Sequence, residues 1–355
     1  MAWLDWARGV AVVAMVLAHV VDSWTRDHDR DRTGFHWVIF VGGLASPAFL
    51  FLAGLGSALS GASKRRAGAT RLEATLALAR RGWIIFGLAF VFRLQALALG
   101  WGSPLDVLKV DILNVMGLAL VAGGLLWGAG TNARGQVVAA TAATVAIAMA
   151  APLIRTAAWI DLLPAPLQWY WRPTPGRTNF TLVPWAGFVF AGVAAGAALA
   201  GAQTEVALRR LQLALAALAV VVGAAAWWAS FQPSIYPPGR SAFWGASPTF
   251  FFLRLAIVTA VLPLAWTLRR HLAGPIATIL ATIGAASLFA YWVHVELVYG
   301  GIAIPIKRRV PLELSVLAAV AIAYGLARLV PVARAWVADV ERPPIRVRRL
   351  VARLL

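Results

Sequence analysis

The first hydrophobic stretch, Trp3 to Trp24 (WLDWARGVAVVAMVLAHVVDSW), carries Asp5, Arg8, His19 and Asp22. On an α-helix the chain completes a turn in about 3.6 residues and rises about 1.5 Å per residue, so these four fall in one stripe. Arg8 and His19 share that face and are separated by about 16–17 Å along it. A charged group at the centre of a membrane span costs about 2.5–3.5 kcal/mol on insertion scales. Scattered lipid-facing charges would add up that cost, whereas a single stripe can face other helices or a wet cavity. A histidine, which ordinarily titrates near 6.5, beside a carboxylate is equipped for proton transfer at neutral pH. The functional reading makes this helix one wall of a site. The structural alternative makes Asp5–Arg8 a helix-start ion pair and His19–Asp22 a buried structural pair.

Other candidates are more dispersed. The loop TRDHDRDRTGFH that follows holds His28 and His36 among alternating charges. Arg93 and Gln95 lie in a third apolar run, and Asp111 and Asn114 open a fourth at helical i, i+3 spacing. Arg254 is near the start of the eighth. Late in the chain, SLFAYWVHVELVYG places Tyr291 and His294 on one helix face and Glu296 opposite. A lone histidine is more often a satisfied core residue, but His19 offers His294 a partner. There is no cysteine, which excludes disulfides, zinc–thiolate sites and an acyl-cysteine intermediate. No metal is expected.

The elements that must position these residues are membrane helices. Of 355 residues, 61% are hydrophobic and 13% charged, a composition that repeated long apolar runs explain and a soluble domain does not need. Ten candidate spans emerge, at about 3–24, 37–59, 83–101, 112–130, 136–154, 182–201, 211–231, 249–268, 277–304 and 313–333. The expected fold is an all-α integral membrane protein, a single bundle of about ten transmembrane helices over 1–333, followed by a basic amphipathic tail over 334–355. The formal charge of +18 sits mainly in short loops and the tail, which fits anionic lipid head groups and no nucleic acid. With the N-terminus inside, seventeen basic residues fall on inner segments and eleven on outer ones, so both termini are expected in the cytoplasm of a plasma (inner) membrane protein. Lys307, Arg308 and Arg309 on the outer side are the exception. The N-terminus lacks a basic n-region and a small-residue cleavage site, so the first span is expected to be retained. The outer loops are rich in proline and aromatics, consistent with an interfacial belt.

The opening LDWARGVAVVAMVLAH resembles the start of the transmembrane acyltransferases, in which an arginine is followed eleven positions later by a histidine. Within that superfamily the chain is similar to the heparan-alpha-glucosaminide N-acetyltransferase catalytic domain and its bacterial relatives. HVVD (His19 to Asp22) resembles their DHVRD, with Ala18 where they carry aspartate. SPAFLFLAGLGSALS (Ser46 to Ser60) resembles their APVFVFLAG segment. DILNVMGLAL (Asp111 to Leu120), VPWAGFVFAG (Val183 to Gly192) and SLFAYWVHVELVY (Ser287 to Tyr299) follow as further blocks in the same order. The human-type enzyme has asparagine where His19 stands and uses a histidine in the next outer loop, where this chain offers His28 and His36.

The resemblance implies transfer of an acetyl group from acetyl-CoA, as co-substrate, to an amino or hydroxyl group of a glycan-like acceptor. On that reading Arg8, with Arg80 and Arg81, holds the CoA phosphates, and Asp111 and Asn114 contact the acceptor. His19 meets the thioester as general base and Asp22 orients it, with His28, His36 and His294 as competitors for the base. The expected partners are the bilayer, acetyl-CoA and a sugar or glycan-like acceptor; a homo-oligomer is compatible with the sequence. The other class is a multi-span transporter or flippase with an intramembrane His/Asp/Arg relay. Against it, no two halves share matching Gly/Pro-broken spans.

Overall fold

A computed structural model describes residues 1–99, 103–271 and 273–339, the last three by backbone alone. Thirteen helices are described: α1 Ala2–Trp24, α2 Thr33–Gly42, α3 Ala45–Arg66, α4 Arg71–Ala98, α5 Ile112–Ala129, α6 Ala133–Arg155, the short α7 Ala165–Gln168, α8 Leu182–Gly201, α9 Glu205–Ser230, α10 Pro248–Leu268, α11 Pro275–Ala285, α12 Ser287–Tyr299 and α13 Leu312–Asp339. Among the described residues no strand forms beyond isolated bridges, Thr25 with Val310 and Val110 with Thr178. Among the described residues nine helical spans are long and apolar enough to cross a membrane, ten if α11 and α12 count as one. The protein is an all-α polytopic membrane protein.

Helix starts follow the local sequence. Thr70 and Glu73 form a reciprocal capping box at the head of α4, which satisfies backbone donors that a helix start leaves orphaned. Asp111 and Asn114 do the same for α5. Their i, i+3 spacing is therefore a helix-start signature in its own right.

The helices form two compact units, one of Met1–Ala48 with Leu264–Leu355 and one of Phe49–Pro263. In the first, α1 packs on α2, α11, α12 and α13. A Cβ on Gly9 would lie 2.0 Å from the Leu280 carbonyl oxygen, and one on Gly284 would lie 1.8 Å from that of Asp5. Only glycine permits this backbone-to-backbone approach of α1 and α11. In the second unit α8 is the central helix, buried along most of its length, with α6 and α5 against it.

The run expected as one span over 277–304 is broken. The chain bends by 88° between α11 and α12, at Ala286 (φ −116°, ψ 35°), in the small-residue sequence GAAS without a proline. The second expected span likewise starts earlier, as α2 and α3 either side of Gly43–Leu44. Residues 334–339 continue α13; the rest of the basic tail, with Arg342, Arg346, Arg348, Arg349 and Arg353, lies outside the described residues.

Candidate active site

In the first unit α12 brings His294 to His19. His19 Nδ1 and His294 Nε2 are 2.9 Å apart, with ring centroids 5.2 Å apart and planes 20° apart. The pairing is one of helices as well as of side chains. Ser23 Oγ donates to the Val298 carbonyl at 3.2 Å, at the same sequence separation of 275. A constant offset means that α12 runs parallel to the second half of α1 in register. Trp24 Nε1 donates to the same carbonyl.

The hydrogen bonds order the two rings. His294 is fully buried, and its Nδ1 lies 2.9 Å from the Ala290 carbonyl one turn back. A carbonyl only accepts, so His294 Nδ1 carries the hydrogen. In a neutral ring Nε2 then holds the lone pair. His19 Nδ1 must therefore donate to it, which leaves the lone pair of His19 on Nε2. Tyr299 packs edge-on to His19 at 5.4 Å and Tyr291 edge-on to His294 at 5.7 Å. The arrangement can accept a proton at His19 Nε2 and retain the Nδ1–H···Nε2 bond while the charge is present.

The other residues singled out in this unit have different neighbours. Arg8 pairs with Asp5 at 2.7 Å, both about a quarter exposed, the helix-start ion pair of the structural alternative. Asp22 is held by Arg30, which donates to its carboxylate at 2.9 Å and to its carbonyl at 2.6 Å. His28 and His36 are exposed; His28 Nε2 lies 3.2 Å from Asp29 and His36 stacks edge-on to Phe35.

Asp29, in the same loop, is a residue that sequence reasoning passed over. It is buried to 3% exposure, bonded by Arg26 at 2.7 Å and by the Leu312 amide at 3.2 Å. The Arg26 hydrogen bond, ahead of the Leu312 amide, holds its carboxyl below the usual carboxylate range despite burial. The signal was present in the alternating DHDRDR, but that pattern reads equally well as a solvated loop.

In the second unit Asp111 accepts from Arg93 at 2.7 Å, and buried Asn114 reaches the Tyr170 hydroxyl at 3.4 Å. Val110, Val115 and Trp169 form an apolar cluster in this unit, with Tyr170, Phe180 and Trp185 packed against it. Arg80 and Arg81 lie on the exposed side of α4. No cluster of three or more metal-ligating side chains occurs among the described residues.

No curated protein matches the chain. The family model described as heparan-alpha-glucosaminide N-acetyltransferase, catalytic, matches residues 1–233. The matched region contains the LDWARG, SPAFLF, DILNVM and VPWAGF blocks; His294 and its block lie beyond it. With about two thirds of its length matched in this way, the chain belongs to the heparan-alpha-glucosaminide N-acetyltransferase catalytic-domain family, a family of membrane acetyltransferases.

Proposed function

We propose that the protein transfers the acetyl group of acetyl-CoA to an amino or hydroxyl group of a glycan-like acceptor, with His19 as general base. The observation that carries the reading is the His19–His294 contact inside the span that opens the family match. In the step proposed, the acceptor nitrogen or oxygen attacks the thioester carbonyl and forms the new C–N or C–O bond. Its proton passes to His19 Nε2, the C–S bond breaks, and the same proton moves on to the CoA sulfur. His294 is the orienting partner. Asp22, the sequence candidate for that task, is tied to Arg30 and is assigned to the loop instead.

Arg8 remains the proposed phosphate contact, because its spacing from His19 suits the long arm of CoA. It would engage phosphate with donors other than the Nη1 group that meets Asp5. Arg80 and Arg81 are proposed as further cationic contacts, and Asp111 and Asn114 as acceptor contacts through the network they share with Arg93 and Tyr170. The membrane is proposed to be the plasma (inner) membrane, with CoA supplied from the cytoplasm. A proton-coupled transporter has the broken α11–α12 span on its side; family membership favours the transferase.

The test is a thermal-shift titration of purified protein with acetyl-CoA, then mass spectrometry of amine and alcohol acceptors incubated with both. The expected result is a saturable stabilisation and an acetylated product. His19→Ala should keep the stabilisation and lose about 10²–10⁴ in turnover. Absence of both the acetyl-CoA response and the product would sink the reading. Full turnover in His19→Ala alongside loss in His28→Ala or His36→Ala would move the base to the loop.

A further inference from the structure

Among the half-buried guanidinium groups of the second unit, two have a charge that no carboxylate of the described residues meets. Arg93, Arg172 and Arg177 of the same unit pair with Asp111, Asp161 and Asp106. Arg155 and Arg254 do not. Arg155 ends α6; its Nε donates to the Val183 carbonyl at 3.0 Å and its Nη2 to the Thr181 hydroxyl. Its Nη1 has no acceptor among the described residues and faces Gly245, where an added Cβ would stand 3.5 Å from it. Arg254, in the second turn of α10, lies 3.8 Å from the Phe250 ring centroid and 5.5 Å from that of Trp185. None of its donors meets a protein acceptor among the described residues. Both side chains are half-buried, and both bracket the same short segment, Arg155 at the Val183 carbonyl and Arg254 at the Trp185 ring.

A guanidinium stacked on aromatic faces keeps its in-plane N–H fork free for an oxyanion. The fork of Arg254 and the remaining Nη1 of Arg155 around one segment supply more donors than one carboxylate needs and suit a tetrahedral oxyanion with several acceptor oxygens. We propose that Arg155 and Arg254 form an anion site at the head of α8 that takes a phosphate group. The phosphate belongs either to a soluble compound or to a lipid head group; the chemistry of recognition is shared. The site stands on its own residues and does not depend on the acetyl-transfer reading.

The experiment uses the full chain in neutral detergent. Inorganic phosphate is titrated against chloride at matched ionic strength, with thermal unfolding as the readout. In a parallel arm, protein in phosphatidylcholine nanodiscs is compared with protein in discs containing phosphatidic acid. A saturable rise in Tm with phosphate, absent in Arg254→Gln and Arg155→Gln, supports the site and a soluble source. A rise confined to phosphatidic acid discs, and equally lost in the two variants, supports the site and a lipid source. Arg254→Lys keeps the charge without the planar fork and should weaken the response about tenfold, so the test survives if a glutamine variant fails to fold. The ligand-free proteins give a second readout. Removing an uncompensated charge in Arg254→Gln should raise Tm, whereas Arg93→Gln, which strands Asp111, should lower it. Responses to both titrants that are unchanged in the Arg254 variants, or no response in wild type, would overturn the proposal, as would a fall in ligand-free Tm for Arg254→Gln.

Discussion

His294 touches His19 because two chain segments 275 residues apart run in parallel register, and the consequence is a prescribed tautomer. The Ala290 carbonyl fixes the hydrogen on His294 Nδ1, and His294 Nε2 in turn fixes the hydrogen on His19 Nδ1. If His19 is the base, removing this acceptor leaves its ring free to rotate and to exchange tautomers. A small misplacement of a reacting group costs about 10²-fold, so His294→Ala should lower turnover by about that factor with little change in acetyl-CoA affinity. His294→Asn, which can present a carbonyl acceptor, should recover part of it. Asp22→Asn should change turnover little, since Asp22 is engaged by Arg30. Steady-state kinetics of the three variants checks this; equal losses in His294→Asn and His294→Ala would reduce His294 to packing. The stripe on α1 was legible in the sequence because helical spacing is a local property. The identity of the partner was not. Periodicity put Asp22 one turn from His19, but it is silent on which residue of a distant helix takes up the ring nitrogen.

At the scale of elements, the position of His294 depends on how α11 seats on α1. The crossing at Gly9, Leu280 and Gly284 is backbone against backbone, so a methyl group there cannot be absorbed by a side-chain rotation. Gly284→Ala should force α11 off α1, at the 1–3 kcal/mol typical of overpacking, and should displace His294 with it. Gly87, with nothing within 4 Å of an added Cβ, is the control. Alanine there should be neutral or stabilising by up to about 1 kcal/mol, because glycine is a poor helix former. Thermal unfolding in detergent compares the two, and an unperturbed Tm for Gly284→Ala would contradict the close crossing. Apolar runs located nearly every helix, since the bilayer demands length and hydrophobicity and both are countable. The break at Ala286 escaped that count. No proline marks it, and the segments on either side are as apolar as an unbroken span. Just before the bend, α11 sits backbone-to-backbone on α1, a tertiary contact marked in the sequence by the glycines at 9 and 284.

For the whole molecule, the number of crossings decides where each loop lies. Among the described residues, eight candidate spans, taking α2 with α3 as one, lie between the segment before α1 and Arg269; if each crosses once, Arg269 and Arg270 share the side of that segment. The segment after α12 lies with the far end of α1: Arg26 donates its amide to the Val310 carbonyl at 2.9 Å, Arg308 pairs with Asp27 at 2.8 Å, and the Leu312 amide reaches Asp29. We propose that the bent α11–α12 pair carries the chain from one side to the other and that α13 returns it. The charge distribution favours the same path. With the bent pair crossing, basic residues divide seventeen inside and eleven outside. If it doubled back instead, Lys307, Arg308 and Arg309 would move in and the six arginines counted from 334 onward would move out, giving fourteen on each side. Only the first distribution carries the bias that sets membrane orientation. The three basic residues after α12 are each engaged locally: Arg308 pairs with Asp27 at 2.8 Å, Lys307 donates to the Tyr299 carbonyl at 2.7 Å and Arg309 to the Pro305 carbonyl at 3.1 Å. Because the chain has no cysteine, single cysteines report directly. Ser234→Cys and Ile304→Cys should react with a membrane-impermeant maleimide in intact cells, and Ala69→Cys and Ala273→Cys only after permeabilisation. Labelling of Ile304→Cys and Ala273→Cys from the same side would show that α11 and α12 do not cross. It would also place the end of α13 opposite to the segment before α1.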